Sequence, residues 1–153
     1  MRETMLVAAV LPLRLFLGWV FLQAGLLKVS TGWLTQNKLT PILEGWLHDG
    51  KTYPFFVKLV HDTFLPHAQL FGRLVAAGEL LVGAALLIGL FTRFAALCAL
   101  LMTASFLLAR GDGVGANATA PYVVMSLVLL CSHAGRFLGL DAAMKDRLPA
   151  WLT

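Results

Sequence analysis

Residues 72–93, GRLVAAGELLVGAALLIGLFTR, form a nearly continuous apolar run that carries a glutamate close to its centre. The run is long enough to cross a bilayer, which takes about 20 consecutive apolar residues in helical form. A carboxylate at membrane depth is energetically costly. Glu79 therefore requires a compensating group elsewhere in the chain, and Arg14, inside another apolar run, is the predicted partner.

The composition is typical of an integral membrane protein. Of the 153 residues, 59% are hydrophobic and 13% are charged, whereas soluble domains have about 45–50% apolar and about 25% charged residues. The net charge of +4 suits contact with anionic lipid, and no block of Lys and Arg resembles a nucleic-acid-binding stripe. Cys98 and Cys131 lie in apolar runs, without a CxxC or Cys/His metal spacing. We therefore expect membrane lipid as a partner, no nucleic acid and no metal.

The apolar runs predict an all-α integral membrane protein, a four-transmembrane-helix bundle that forms a single domain over residues 1–153. Small residues share a helical face with the polar ones on the first two spans, which favours close helix packing in a membrane. These faces comprise Arg14, Gly18, Phe21, Gly25 and Lys28 on the first span, and Gly72, Ala76, Glu79 and Gly83 on the second. The spans are predicted at about residues 5–28, 69–90, 94–109 and 118–132.

Residues 29–68, between the first two spans, are too polar to cross the membrane but keep apolar residues at helical spacing after Pro41 and Pro54. We predict two short amphipathic helices in this first loop, lying at the membrane surface; the resemblance described below implies that the loop is extracytoplasmic. Residues 136–153 are predicted to form an interfacial tail, because the segment ends near Trp151 and tryptophan is enriched at membrane interfaces.

Counting from the predicted span ends places Arg14 and Glu79 at one depth. Arg14 is ten residues from Thr4 and Glu79 is eleven residues from Leu90, so both would lie about 15–16 Å deep at 1.5 Å per residue. We therefore predict a buried ion pair between them. Two roles are open for this pair: a structural clamp that sets the helix register, or a polar locus for a quinone head group or a proton relay.

Lys28 and His61 are the further candidates for a polar ligand site, and both lie on the side of the predicted loop. Histidine exchanges protons readily near neutral pH, so His61 is a candidate proton donor to a quinone. The alternative for His61 is a solvated surface histidine without a ligand. The sequence identifies no catalytic residue and no motif for an intrinsic cofactor, which leaves quinone as the candidate ligand.

Three stretches of the sequence resemble the DoxX/DoxD family: RLFLGWVFLQAGLLK at 14–28, LPHAQLFGRLVAAGELLVGAALLIGLFTR at 65–93, and GRFLGLDA at 135–142. DoxD is the small subunit of thiosulfate:quinone oxidoreductase. The resemblance implies a four-helix bundle in the bacterial or archaeal inner membrane, with both termini cytoplasmic. The chain itself does not fix this orientation, because Lys and Arg are divided almost evenly between the two predicted sides.

The resemblance also implies quinone-linked oxidation of sulfur compounds or association with membrane redox complexes. The first expected function is a small integral subunit of a quinone-linked oxidoreductase that works with other protein subunits, with the thiosulfate:quinone type as the specific form that the resemblance implies. The alternative is a non-catalytic accessory or assembly subunit of a larger respiratory or photosynthetic membrane complex. If the chain belongs to an enzyme, we expect it to act as a part of one, because it carries no cofactor motif.

Overall fold

The structure, a computed structural model, describes residues 2–111, 119–132, 134–136 and 139–144. Within these residues every regular element is a helix, so the all-α prediction is confirmed. The helices are α1 (Arg2–Ser30), α2 (Leu39–His48), α3 (Pro54–Leu59), α4 (Ala68–Ile88), α5 (Thr92–Arg110), α6 (Ala120–Cys131) and α7 (Leu140–Ala143). A π-helical segment, Val60–Phe64, continues α3, and a 3-10 turn, Ala134–Arg136, precedes α7.

Three helices in the described part of the chain are long and apolar enough to cross a membrane: Ala9–Ser30, Ala68–Ile88 and Thr92–Arg110. α6 is apolar but has 12 residues, fewer than the roughly 17–25 residues of a typical span. The first residue of the predicted fourth span, Ala118, and the end of the predicted interfacial tail lie outside the described residues. The three long helices are those of a membrane protein.

The four longer apolar helices pack in a ring. α1 contacts α4 and α6, and α5 contacts the same two helices from the opposite side. Leu17, Phe21, Leu86 and Leu129 form part of the buried core between them. Large apolar side chains also cover the outer surface, which is the arrangement expected of helices that face lipid. They include Leu81, Leu101 and Val124, which are 69%, 61% and 59% exposed.

Glycines bring the backbones of α1 and α4 close together. A Cβ added at Gly25 would lie 2.5 Å from the backbone nitrogen of Leu80, and one at Gly18 would lie 3.1 Å from Cβ of Leu86. Gly83 approaches α1 equally closely from the other side. Small residues at helix contacts permit such an approach in membranes. These contacts fix an antiparallel register in which residue 25 is level with residue 80, and residue 18 with residue 86.

The segment between α1 and α4 packs over one end of the bundle, which we call the loop end. α2 contacts α4 and α5, and α3 contacts α5. The opposite end, where α4 meets α5, is called the turn end. The apolar side chains under the loop helices form a second buried cluster, separate from the core of the ring. Its buried members are Leu39, Leu43, Phe56, Val60, Ala68 and Ala109.

Replacement of Gly25 by alanine tests the close approach of α1 and α4. The added Cβ would force the two backbones apart, and overpacking of this kind costs about 1–3 kcal/mol. Gly78→Ala is the matched control, because its Cβ would meet the flexible Met102 side chain at an ordinary 3.5 Å. Thermal unfolding of the purified protein in detergent should show lower stability for Gly25→Ala than for the control. Equal stability of the two variants would contradict the register.

Candidate functional site

The buried carboxylate of α4, Glu79, is compensated by Lys28 of α1. Lys28 Nζ donates a hydrogen bond to Glu79 Oε2 over 2.5 Å, and the two charged groups form an ion pair. The Glu79 side chain is 6% exposed and the Lys28 side chain is 20% exposed. We call Lys28 and Glu79 the polar site. It lies inside the bundle, with its lysine reaching toward the loop end.

The indole of Trp33 covers the lysine of the polar site. Lys28 Nζ lies 5.3 Å from the centroid of the Trp33 ring, within the range of a cation–π interaction. Trp33 follows the end of α1, and its backbone N–H donates to the Lys28 carbonyl oxygen at 3.1 Å. The second carboxylate oxygen, Glu79 Oε1, accepts no hydrogen bond within the residues that the structure describes. The site thus combines a bound ammonium group with a carboxylate oxygen able to accept a further hydrogen bond.

The predicted Arg14–Glu79 pair requires correction, because the structure does not bring these residues together. Glu79 is level with Gly25, and residues 14 and 25 are eleven positions apart, which is about 16 Å along the helix. Arg14 is instead level with Gly89, where an added Cβ would lie 2.8 Å from Arg14 Nη1. The depth count failed because it placed the start of α1 level with the end of α4, whereas α1 extends beyond α4 at the turn end.

Arg14 belongs to a second group of buried polar residues at the turn end. Its side chain is 1% exposed, and Nη1 donates a hydrogen bond to the backbone oxygen of Ala134 at 2.7 Å. Asp141, which is fully buried, supplies an opposite charge in the surroundings of Arg14. Gly89 and Gly139 lie against the guanidinium, where any larger residue would meet it. The charge of Arg14 is thus compensated by the C-terminal part of the chain.

Asp141 also caps the N-terminus of α5. Its Oδ1 accepts a hydrogen bond from the Phe91 N–H at 2.7 Å, and its Oδ2 accepts one from the Thr92 N–H at 2.9 Å. A carboxylate is favourable at a helix N-terminus, and the local residue, Phe91, makes no side-chain cap. Phe91 has a φ of +49°, which is uncommon for a residue with a side chain. Asp141 therefore holds the turn between α4 and α5 in this conformation.

We call Arg14, Phe91, Thr92, Ala134 and Asp141 the turn-end cluster. Sequence reasoning placed Asp141 in an interfacial tail, whereas the structure buries it in the bundle. A signal for this role was present, since Asp141 is the one acidic residue of a short stretch, GRFLGLDA, that is apolar apart from Arg136. The cluster compensates each charge with backbone or opposite charge, which is the arrangement of a structural lock.

Of the predicted site residues, the structure brings together Lys28 and Glu79 and separates the other two from them. His61 lies in the π-helical segment, where its side chain is 73% exposed and its Nδ1 lies 3.4 Å from Asp62 Oδ1. It is a surface residue of the loop end. In the described part of the chain, no group of three or more His, Cys, Asp and Glu is placed to hold a metal ion.

These features define an α-helical membrane protein with two separate buried charge groups at opposite ends of one bundle. The model of the DoxX family matches residues 9–110, which are 102 of the 153 residues. The chain belongs to the DoxX family. The match contains the whole polar site and ends with α5, before the segment that carries Asp141. Comparison with curated proteins and with solved structures gave no match.

Substitution of Asp141 tests the turn-end cluster. Asp141→Ala leaves two helix-capping N–H groups and the buried Arg14 without their carboxylate, and hydrogen bonds to charged groups contribute about 1.5–3 kcal/mol each. We expect a loss of about 3 kcal/mol or more in the free energy of unfolding, with Asp141→Asn between this variant and the wild type. Asp62→Ala is the control, because the Asp62 side chain is 56% exposed. If Asp141→Ala unfolds at the same temperature as the Asp62→Ala control, Asp141 does not cap α5.

Proposed function

We propose that this DoxX-family protein is a small integral membrane subunit of a quinone-linked oxidoreductase, and that the polar site serves its quinone chemistry. The observation that carries the proposal is the ion pair of the buried Glu79 and the partly exposed Lys28, between two helices long enough to span the membrane. Ionisable residues inside membrane helices are costly, and they commonly mark ligand and proton pathways. The family is also often linked to quinone oxidoreductases.

The chemistry of a quinone explains why such a pair would be useful. A quinone takes up protons together with electrons when it is reduced, so it needs nearby groups that exchange protons. Glu79 and Lys28 can together pass protons to a quinone as it is reduced, and Lys28, which is partly exposed, connects the pair to the aqueous side at the loop end. The electrons would come from a partner subunit, with the thiosulfate:quinone type as the specific form that the sequence resemblance implies.

A non-catalytic accessory or assembly role in a larger respiratory or photosynthetic complex is the second candidate. One observation favours it: Lys28 and Glu79 compensate each other through a hydrogen bond of 2.5 Å, as a purely structural clamp would. The glycine contacts that place the two residues side by side fit the same role. Under this reading the pair fixes the register of α1 and α4 and handles no ligand.

One variant that removes a charge of the polar site and one that exchanges its two charges distinguish the quinone-binding role from the structural role. Glu79→Gln leaves Lys28 unpaired, which costs about 3–5 kcal/mol for a buried pair, and should also remove bound quinone. The double variant Lys28→Glu with Glu79→Lys keeps a pair, so it should regain most stability, but it exchanges the positions of donor and acceptor and should not regain quinone. The measurements are thermal unfolding and quinone content per protein, extracted from preparations made in native membranes. Gln23→Leu, on the exposed face of α1, is the control.

The outcome of that experiment decides between the roles. Quinone in the wild type and in the control, but not in the charge-reversed variant, supports the proposed function. Recovery of both stability and quinone content in the charge-reversed variant shows a clamp that does not act on the ligand. Wild-type protein that purifies from native membranes with partner subunits but without quinone supports the accessory role.

We also propose that the protein crosses a bacterial or archaeal inner membrane four times, with cytoplasmic termini and the loop end outside. α6 supports the fourth span, since it packs against α1 and α5 as the last helix of a closed bundle would. In a background without Cys98 and Cys131, Lys58→Cys at the exposed loop end should react with an impermeant maleimide in intact cells. Leu140→Cys at the turn end should react after permeabilisation. The reverse pattern would invert the proposed topology.

A further inference from the structure

A cavity of about 330 Å³ lies at the loop end between α2, α4 and α5. It is on the side of α4 that faces α5, whereas the polar site is on the side that faces α1. Its lining is apolar apart from the Ser105 hydroxyl and the indole N–H of Trp46. Ligand pockets in proteins span about 300–1,000 Å³ and are mostly apolar, with few polar groups. The volume of this cavity suits one ring system.

Aromatic side chains form preorganised walls around the cavity. Phe64 and Phe71 meet edge to face with their ring centroids 4.8 Å apart, and Trp46 and Phe106 do so at 6.5 Å. Aromatic pairs prefer this geometry, so each ring holds its partner in place. Phe64 comes from the π-helical segment, and π-helical turns are frequent at functional sites. These walls suit a planar ring, which can stack on the face of an aromatic side chain or contact its edge.

The cavity is open to the lipid-facing surface of the bundle. Two of its lining residues, Leu74 and Leu101, are 56% and 61% exposed, and they belong to helices long enough to span a membrane. A molecule dissolved in the bilayer can therefore reach the cavity sideways, without crossing water. This position favours a lipid-soluble ligand.

One residue of the cavity wall and the residue that covers the polar site lie against the same point of α4. A Cβ added at Gly72 would lie 3.5 Å from Leu39, which lines the cavity, and 3.8 Å from Trp33, which covers Lys28. Gly72 thus lets the two side chains approach the same point of α4. A ring in the cavity would lie next to the group that covers the polar site.

We propose that this cavity binds the ring of a lipid-soluble quinone taken from the bilayer. Two polar groups can meet the ligand. The Trp46 indole N–H is a hydrogen-bond donor, and the Ser105 hydroxyl, which donates to the Leu101 carbonyl oxygen at 2.8 Å, is an acceptor. The Ser105 acceptor matches the hydroxyl of a quinol better than the carbonyl of a quinone, so Ser105 contributes more to binding of the reduced form. This inference rests on the proposed function and gives it a binding site.

Filling the cavity tests the proposal. Wild-type protein in lipid nanodiscs is titrated with a short-chain benzoquinone and its quinol, and quenching of tryptophan fluorescence is measured, with Trp46 in the cavity wall. Val75 lines the cavity, so Val75→Phe should lower the affinity by at least about tenfold while thermal stability is kept or raised. Leu81→Phe adds the same ring on the exposed face of α4 and should keep the wild-type affinity.

The outcomes separate this inference from the proposed function. Equal affinity of Val75→Phe and wild type overturns the cavity site, while the quinone content of the Glu79 variants still tests the function. Absence of quenching in the wild type also overturns the cavity site. If Val75→Phe lowers stability, Ser105→Ala decides: it should weaken binding of the quinol more than that of the quinone, and an unchanged preference overturns the proposal.

Discussion

The close contact between α1 and α4 is the interaction on which the rest of the structure depends. Gly25 and Gly18 place the backbones in contact at Leu80 and Leu87, and this register puts Lys28 beside Glu79. A shift of one turn would move the ammonium about 5.4 Å along the helix axis and leave a carboxylate unpaired in low dielectric, at a cost of several kcal/mol. Backbone packing and charge compensation therefore specify the same register.

The ends of α5 show a second constraint, because backbone groups at helix ends need partners where water is scarce. At its N-terminus the partner is the carboxylate of Asp141, about fifty residues away in the chain. At its C-terminus Thr52 Oγ1 donates to the Ala109 carbonyl oxygen at 2.6 Å, and the Tyr53 N–H donates to that of Leu108 at 3.3 Å. Segments distant in the sequence thus hydrogen-bond to both ends of α5, one at the turn end and one at the loop end.

This arrangement divides the two ends of the protein by role. The turn-end cluster satisfies its charges internally and leaves Arg14 and Asp141 buried, which suits a permanent lock. The loop end combines a partly exposed ion pair with an adjoining apolar cavity. A redox ligand from the bilayer needs both an apolar place for its ring and a group that exchanges protons. Under the proposed function the loop end supplies both, on two different faces of α4.

The sequence by itself determined the helical class, the membrane setting and the small-residue faces of α1 and α4, because these follow from composition and local periodicity. It also indicated the family, through the resemblance of three stretches to DoxX/DoxD proteins. It also identified Lys28 and Glu79 as candidates. Only the tertiary structure decided that they pair with each other, since the axial offset of two antiparallel helices leaves no trace in the periodicity of either. For the same reason Arg14 was assigned the wrong partner. The cap by Asp141 and the cavity needed the fold as well, because each is made by segments far apart in the chain.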